Sequence, residues 1–157
     1  MKILHWSFME GPIRQRIRPS HFVSGATFQA LLHWVRTLSY ANAGHDLPYL
    51  HRNGEAEELR ARGMPLGLMA GMSYEEGGVS LGEGGCVLFY SDGLVEAHDP
   101  QGGMFGFPRL RELVAEHGEE RSLGDFLMEE LSSFVGEGWE QEDDITLLTL
   151  RRSASLS

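Results

Sequence analysis

Glycine is concentrated in the middle of this chain, and this distribution limits the possible folds more than any other feature. Of the 20 glycines among 157 residues, 13 lie between Gly54 and Gly106. Glycine destabilises the interior of a helix and favours tight turns. The middle of the chain is therefore predicted to form short strands joined by tight turns, with any helices lying outside it.

Several segments carry strand signals. Arg52-Asn53-Gly54-Glu55 predicts a two-residue hairpin, because asparagine and glycine tolerate the positive φ angles of such turns. The uninterrupted apolar run 87–90 is typical of a strand buried on both faces. Further strands are predicted at 38–43, 47–50, 56–59, 75–81 and 145–150, with a frayed tail over 151–157.

Two helices are predicted between the last two strands. The first has Pro108 in its opening turn and ends at Gly118, and its apolar face contains Leu110, Leu113, Val114 and His117. The second begins at Ser122, in a sequence close to a capping box with Asp125, and ends at Gly136. Its apolar stripe comprises Leu123, Phe126, Leu127, Leu131, Phe134 and Val135.

Composition excludes several functions. The net charge of −10 argues against nucleic acid as a partner, because phosphate backbones attract basic surfaces. No apolar run approaches the roughly 20 residues of a membrane span, and none is long enough for a secretory signal. A lone cysteine, Cys86, lies in an apolar strand and is predicted to be a buried packing residue. We therefore expect a soluble, cytoplasmic protein without membrane or nucleic-acid partners.

Charge also divides the chain. Residues 1–36 carry five basic residues and one acidic residue, a net charge of +4, whereas residues 37–157 carry eight and 22, a net charge of −14. The first segment shows no clear periodicity before Phe22. We expect an atypical, disordered N-terminal segment at 1–36, a folded region at 37–152 and a tail at 153–157.

Carboxylates at predicted strand ends are the candidates for chemistry. Asp92 directly follows the buried run 87–90, and Glu142-Asp143-Asp144 directly precedes the last strand. Carboxylate oxygens suit Mg²⁺ and Mn²⁺. Two such ions about 3.5–4 Å apart can activate a water for attack on phosphorus. The pattern alone favours a plainer interpretation, in which Asp92-Gly93 is a hairpin turn and 142–144 an acidic loop.

Five blocks occur in a defined order, at 38–45 (ending Ala-Gly-His), 63–68 (Gly-Met-Pro-Leu-Gly-Leu), 87–97 (containing Tyr-Ser-Asp-Gly), 105–110 and 143–148 (Asp-Asp-Ile-Thr-Leu-Leu). In this order they resemble the metal-dependent serine/threonine protein phosphatases of the PPM superfamily, in particular the bacterial SpoIIE/RsbU-like branch. Residues 37–152 are thus expected to be part of such a domain.

The resemblance implies an α+β fold, a β-sandwich flanked by helices in α-β-β-α layers, with two Mn²⁺ or Mg²⁺ ions at one end. It implies that Asp92 and Asp143 are metal ligands, supported by Gly93, which lets the turn close near the ions, and by Asp144. His45 lies in a family motif, but the simpler interpretation is a structural histidine.

The resemblance also implies a function. Relatives hydrolyse phosphoserine or phosphothreonine esters by in-line attack of an activated water, without a phosphoenzyme. Their substrates are phosphorylated proteins, often anti-sigma-factor antagonists in bacterial stress or developmental switches. The same class of partner is expected for this chain.

One departure from the family pattern leaves alternatives open. The family has an earlier Asp-Gly whose carboxylate bridges both metals, but no aspartate precedes Asp46 in this chain. Residues 1–36 do not resemble that part of the domain. We therefore expect a fold that is incomplete at its N-terminus. The alternatives to an active phosphatase are a catalytically inactive binding module and a non-functional fragment.

Overall fold

The computed structural model describes residues 37–136 and 144–152 in full, and 2–8 and 29–33 as backbone strands. Within these ranges the chain forms both strands and helices. The strands are β1 (Lys2–Phe8), β2 (Gln29–His33), β3 (Thr37–Ala41), β4 (Tyr49–Arg52), β5 (Glu55–Glu58), β6 (Glu76–Ser80), β7 (Cys86–Tyr90) and β8 (Thr146–Arg152), and the helices are α1 (Asp92–Val95), α2 (Gly106–His117) and α3 (Leu123–Val135).

The described strands form two sheets. One has the order β1-β8-β7-β4-β5, and the other has the order β2-β3-β6. β1 pairs in parallel with β8, and every other described pair is antiparallel. The sheets enclose one apolar core, to which β3 contributes Leu38 and β7 contributes Val87. α2 and α3 enclose a second core on the other face of the larger sheet.

The central strand β7 is buried on both faces, as its apolar run predicts. Val87 belongs to the core between the sheets, whereas Leu88 and Tyr90 belong to the core under the helices. Cys86 is buried in the same strand, which confirms it as a packing residue. Burial raises the pKa of its thiol, so the reactive thiolate is disfavoured.

The predicted hairpin is confirmed. Arg52 pairs with Glu55, and the two turn residues, Asn53 and Gly54, have φ angles of 54° and 75°. Positive φ at both central residues defines the mirror-image turn that matches the twist of two antiparallel strands. The local dipeptide therefore sets the register between β4 and β5.

Both long helices lie where the apolar periodicity predicts them. α2 buries Leu110 and Val114, and α3 ends at Gly136. The predicted capping box at Ser122 is wrong. The Ser122 side chain makes no capping hydrogen bond, and the backbone ψ of this residue, 29°, is not extended. Packing of the apolar stripe, more than a cap, thus fixes the start of α3.

The frayed tail predicted from residue 151 is also wrong in its first two residues. Arg151 and Arg152 belong to β8 and are only 6% and 4% exposed. Their guanidinium groups donate to backbone carbonyls, that of Arg152 to Leu81 at 3.1 Å. Residues 153–157 lie outside the described residues.

The α+β class and the layered sandwich are confirmed, with the described long helices on one face of the larger sheet. Of the helices that the structure describes, none has the length and apolar character needed to cross a bilayer. Strands β1 and β2 fall within residues 1–36. These two strands pair with β8 and β3, so they belong to the sheets of the folded region. The remainder of that segment lies outside the described residues, where the predicted disorder and domain division stay predictions.

Candidate functional site

Acidic residues from distant parts of the chain lie at the same end of the larger sheet. Because β4 and β8 run antiparallel to β7, the end of β7 lies beside the starts of β4 and β8. Asp92 directly follows β7, Asp46 shortly precedes β4, and Asp144 shortly precedes β8. The topology therefore gathers three carboxylates that the sequence separates widely.

Ser91 joins the two strand ends that carry Asp92 and Asp144. Its backbone N–H donates to the carbonyl of Thr146 at 3.0 Å, and its Oγ accepts from the N–H of Thr146 at 2.9 Å. The same hydroxyl donates to the carbonyl of Asp144 at 2.9 Å. Sequence reasoning gave Ser91 no role, although its place between a buried strand and an aspartate was a usable signal.

Asp92 opens the helical turn α1, so the hairpin interpretation of Asp92-Gly93 is wrong. Leu94 and Val95 are fully buried and anchor this turn. Asp92 itself is exposed, and its Oδ1 accepts from the N–H of Gly93 at 3.1 Å. The carboxylate is therefore accessible to a cation from solvent, and it does not bear the cost of a buried charge.

The other predicted ligand residues have mixed outcomes. Asp143 lies outside the described residues, so its role as a ligand stays a prediction. Asp144 is described and exposed, and Ser91 holds its backbone. Gly93 is buried within α1, where its backbone is helical. The turn therefore does not depend on the positive φ angles that glycine alone adopts readily.

His45 is held in place by its backbone. Asn42 Oδ1 accepts from the N–H of His45 at 2.7 Å, and Asn42 Nδ2 donates to the carbonyl of His45 at 2.7 Å. The preceding Gly44 has φ 80°, and a Cβ there would lie 2.6 Å from Cδ of Pro65. Two of the sequence blocks, 38–45 and 63–68, therefore pack directly against each other beside the candidate site.

Asp46 is the functional candidate that sequence reasoning missed. Its Oδ2 is buried and has no hydrogen-bond partner among the described residues. Burial raises the pKa of Asp46, the charges of Asp92 and Glu96 raise it further, and His45 partly opposes them. The signal available in the sequence was an aspartate directly after Ala-Gly-His and just before a strand.

A cavity of about 250 Å³ lies at the same end of the sheet. Its walls come from the segment before β4, from the ends of β5 and β7, and from the start of α2. They contain two carboxylates, an imidazole and three apolar or aromatic side chains, contributed by His45, Asp46, Leu47, Glu58, Tyr90 and Phe107.

The chemistry of the exposed donors fits a hard divalent cation. Mg²⁺ is usually held by one or two carboxylates, with waters and substrate phosphate completing its shell. Asp92 and Asp144 supply two exposed carboxylates at neighbouring strand ends. In the part of the chain that the structure describes, no three His, Cys, Asp or Glu side chains form a cation-binding group. The described residues thus offer donors for at most part of a ligand shell.

Comparison with known sequences places these features in context. The sequence model of the family described as stage II sporulation protein E (SpoIIE) matches residues 13–153. Protein IcfG of Synechocystis is 30% identical over 118 residues, which are 74% of this chain and 18% of that protein. Phosphoserine phosphatase RsbU of Bacillus subtilis is 30% identical over 122 residues, 73% of this chain and 34% of that protein. The chain therefore spans only a minor part of either relative.

Solved structures share the fold. The SiaA-PP2C domain of Pseudomonas aeruginosa superposes with a TM-score of 0.65 at 25% identity, over 75% of this chain and 47% of that one. The phosphatase domain of SpoIIE from Bacillus subtilis, presoaked with Mn, gives a TM-score of 0.63 at 16% identity, over 90% of this chain and 62% of that one. The second likeness bears on the fold alone.

Proposed function

The chain belongs to the SpoIIE family of PPM-type serine/threonine phosphatase domains, and from that premise we propose that it hydrolyses phosphoserine or phosphothreonine esters of a protein, using Mn²⁺ or Mg²⁺. The observation that carries the proposal is the convergence of Asp92 and Asp144 at one sheet end, fixed by Ser91. The 30% identity to a phosphoserine phosphatase supports the same reaction class.

We assign Asp92 and Asp143 as metal ligands, with Asp144, Gly93 and His45 in supporting positions. Divalent ions, when bound, polarise the phosphoryl group and make a water acidic enough to act as nucleophile near neutral pH. The protein's own contribution is placement. Ser91 keeps the two acidic strand ends together, so the donors need little reorganisation when an ion arrives.

The charge of the site supports the proposed dependence on a cation. Asp46, Asp92, Glu96 and Asp144 lie at or near one end of the sheet, and a substrate phosphate would be repelled by their carboxylates. Divalent cations reverse the sign of the local potential. The proposed substrate is a phosphorylated protein, such as an anti-sigma-factor antagonist, and we propose that it is met in the cytoplasm.

The test is manganese-dependent hydrolysis of an aryl phosphate and of a phosphoserine peptide. Asp92→Asn is expected to lower kcat/KM at least about 100-fold, because loss of a ligand should exceed the roughly 10–100-fold cost of perturbing a residue that merely supports one. Glu129→Gln on α3 is the matched control, since it removes one exposed carboxylate and should change kcat/KM less than twofold. Equal activity of wild type and Asp92→Asn contradicts the assignment.

A second candidate function is a binding module without turnover. It is favoured because the described residues include no three-residue cation-binding group, which is fewer ligands than turnover is expected to need. The hydrolysis assay separates the two candidates, and calorimetry with manganese shows whether the ion is bound: a phosphatase binds it and hydrolyses the substrates, whereas a binding module takes it up without hydrolysing either substrate. A non-functional fragment would bind no manganese and would expose apolar surface to a hydrophobic dye.

A further inference from the structure

The 250 Å³ cavity beside the acidic sheet end is built from four separate elements. Asp46 comes from the segment before β4, Glu58 ends β5, Tyr90 ends β7 and Phe107 lies in α2. The volume is below the roughly 300–1,000 Å³ of typical small-molecule pockets. A cavity of this size suits one long side chain better than a cofactor.

The Asp46 carboxylate indicates the chemistry of the occupant. Asp46 lines the cavity and is half-buried, and its Oδ2 accepts no hydrogen bond from the described residues. A carboxylate with few hydrogen bonds favours a ligand that supplies a donor. The nearby carboxylates of Asp92 and Glu96 add negative potential, which favours a donor that carries positive charge.

Glu58 adds a second carboxylate that can be shared with a ligand. Its Oε2 accepts from Nη2 of Arg60 at 2.6 Å, but the Arg60 side chain is 79% exposed. Exposed ion pairs of this kind contribute little to stability, so a ligand can replace or join the arginine at little cost.

Aromatic surface completes the cavity. Phe107 is 46% exposed although it is a large apolar residue. Tyr90, at the end of β7, also lines the cavity, and its ring stacks on that of Tyr49 with centroids 5.8 Å apart. Aromatic faces attract cations and pack against the apolar stems of Lys and Arg. The combination of carboxylates and aromatic rings suits a basic side chain.

We propose that this cavity binds the cationic side chain of an arginine or lysine that lies close to the phosphorylated residue of the substrate protein. The inference rests on the proposed function for the identity of the substrate. It adds a sequence requirement, a basic residue near the phosphoserine, that the metal site by itself does not impose.

A free metal ion is the main competing occupant. The cavity walls hold only two carboxylates, Asp46 and Glu58, with the His45 imidazole. In the described residues these three do not form a group able to hold a metal. The aromatic and aliphatic walls offer such an ion no ligands, whereas they contact the stem of an organic cation favourably.

The experiment compares pairs of phosphoserine peptides that differ only by arginine against citrulline, which has nearly the same shape without the charge. The arginine or citrulline is placed in turn at each position from −3 to +3 relative to the phosphoserine. At the best position, wild type should favour arginine about tenfold or more in kcat/KM, as one charge-assisted hydrogen bond predicts. The ratio of kcat/KM for the arginine peptide to kcat/KM for the citrulline peptide should approach one in Asp46→Asn and fall several-fold in Phe107→Ala. Glu129→Gln should retain the wild-type ratio.

The ratio is measured within each protein, so a change in metal loading cancels. Thermal unfolding shows whether Asp46→Asn folds, and Phe107→Ala tests an exposed position in any case. A wild-type ratio near one at every position overturns the proposal. So does an Asp46→Asn variant that loses one equivalent of bound manganese while its arginine preference is unchanged.

A binding arm separates this inference from the proposed function. The unphosphorylated arginine and citrulline peptides, labelled with a fluorophore, are titrated with the protein in EDTA, and anisotropy gives the two Kd values. Tighter binding of the arginine peptide by wild type, lost in Asp46→Asn, supports the cavity even if no substrate is hydrolysed. Equal Kd values together with active hydrolysis reject the cavity and leave the phosphatase assignment standing.

Discussion

The buried guanidinium of Arg151 is expected to be a major contributor to stability. It lies in β8, 6% exposed, and donates to three consecutive carbonyls at the end of α2: Gly118 at 2.6 Å, Glu119 at 3.1 Å and Glu120 at 2.5 Å. A further donation reaches the carbonyl of Gly84 at 3.2 Å. One side chain thus fastens the last strand to the helix that covers the sheet.

Arg151→Met keeps the length and apolar stem of the side chain but removes all four donations. The carbonyl of Gly118, at the C-cap of α2, is buried and has no partner within the helix, so it is left without a partner, whereas the carbonyls of the exposed Glu119 and Glu120 can bond water instead. Each hydrogen bond from a charged donor contributes about 1.5–3 kcal/mol, but the four share one group and do not add. Relief of the buried charge, whose Nε has no partner, offsets part of the loss.

We therefore expect Arg151→Met to lower the free energy of unfolding by about 3 kcal/mol, which corresponds to a fall in Tm of about 6–12 °C for a chain of this size. Urea denaturation monitored by circular dichroism measures the change. Arg52→Met is the matched control, because Arg52 is half exposed and pairs with Glu57 at 3.3 Å on the surface. Its effect should stay below about 0.5 kcal/mol. An equally small change for Arg151→Met would refute the reasoning.

Three further predictions concern the stability of the fold. Burial lowers the pKa of His51, so its value in the folded protein lies below the value of about 6.5 in the unfolded chain. The free energy of unfolding should therefore fall as the pH drops below 6.5, because the unfolded chain then binds a proton that the folded protein does not. His51→Gln should flatten this pH dependence in urea titrations between pH 5 and 7. Gly44→Ala places a Cβ against Pro65 at a positive φ and should cost about 2 kcal/mol of stability by thermal unfolding, whereas Gly54→Ala, which has a similar φ but open space, should cost less. Ser91→Ala should cost about 1–2 kcal/mol and also weaken manganese binding by calorimetry, whereas Ser133→Ala, on an exposed face of α3, should leave manganese binding unchanged.

Local sequence patterns were sufficient to predict many of the strands, turns and helices. The Asn53-Gly54 turn depends on two residues and their backbone preferences, and the apolar run of β7 reflects burial on both faces. The apolar stripes of α2 and α3 likewise follow from helical periodicity. Each of these signals is complete within a short window of sequence.

Contacts between distant segments could not be derived in the same way. Arg151 and Arg152 look like a solvated tail, because the carbonyls that neutralise their burial belong to residues far away in the chain. The Asp92-Gly93 dipeptide favours a hairpin locally, but burial of Leu94 and Val95 makes the chain turn into a helix instead. Asp46 gave no signal of burial, because its surroundings come from other strands and from α2.

The same long-range pairing explains why strand pairing and cation binding should be coupled in this domain. Ser91 and Asp144 are 53 positions apart, and one hydroxyl joins them while also completing the pairing between β7 and β8. Asp92, in contrast, is exposed, and the hydrogen bond that the structure shows to its carboxylate comes from the N–H of the neighbouring Gly93. Replacing Asp92 should therefore remove cation binding with little effect on the free energy of unfolding, whereas replacing Ser91 should reduce both quantities. If the two variants affected stability equally, the carboxylates would be held by something other than the pairing of these strand ends.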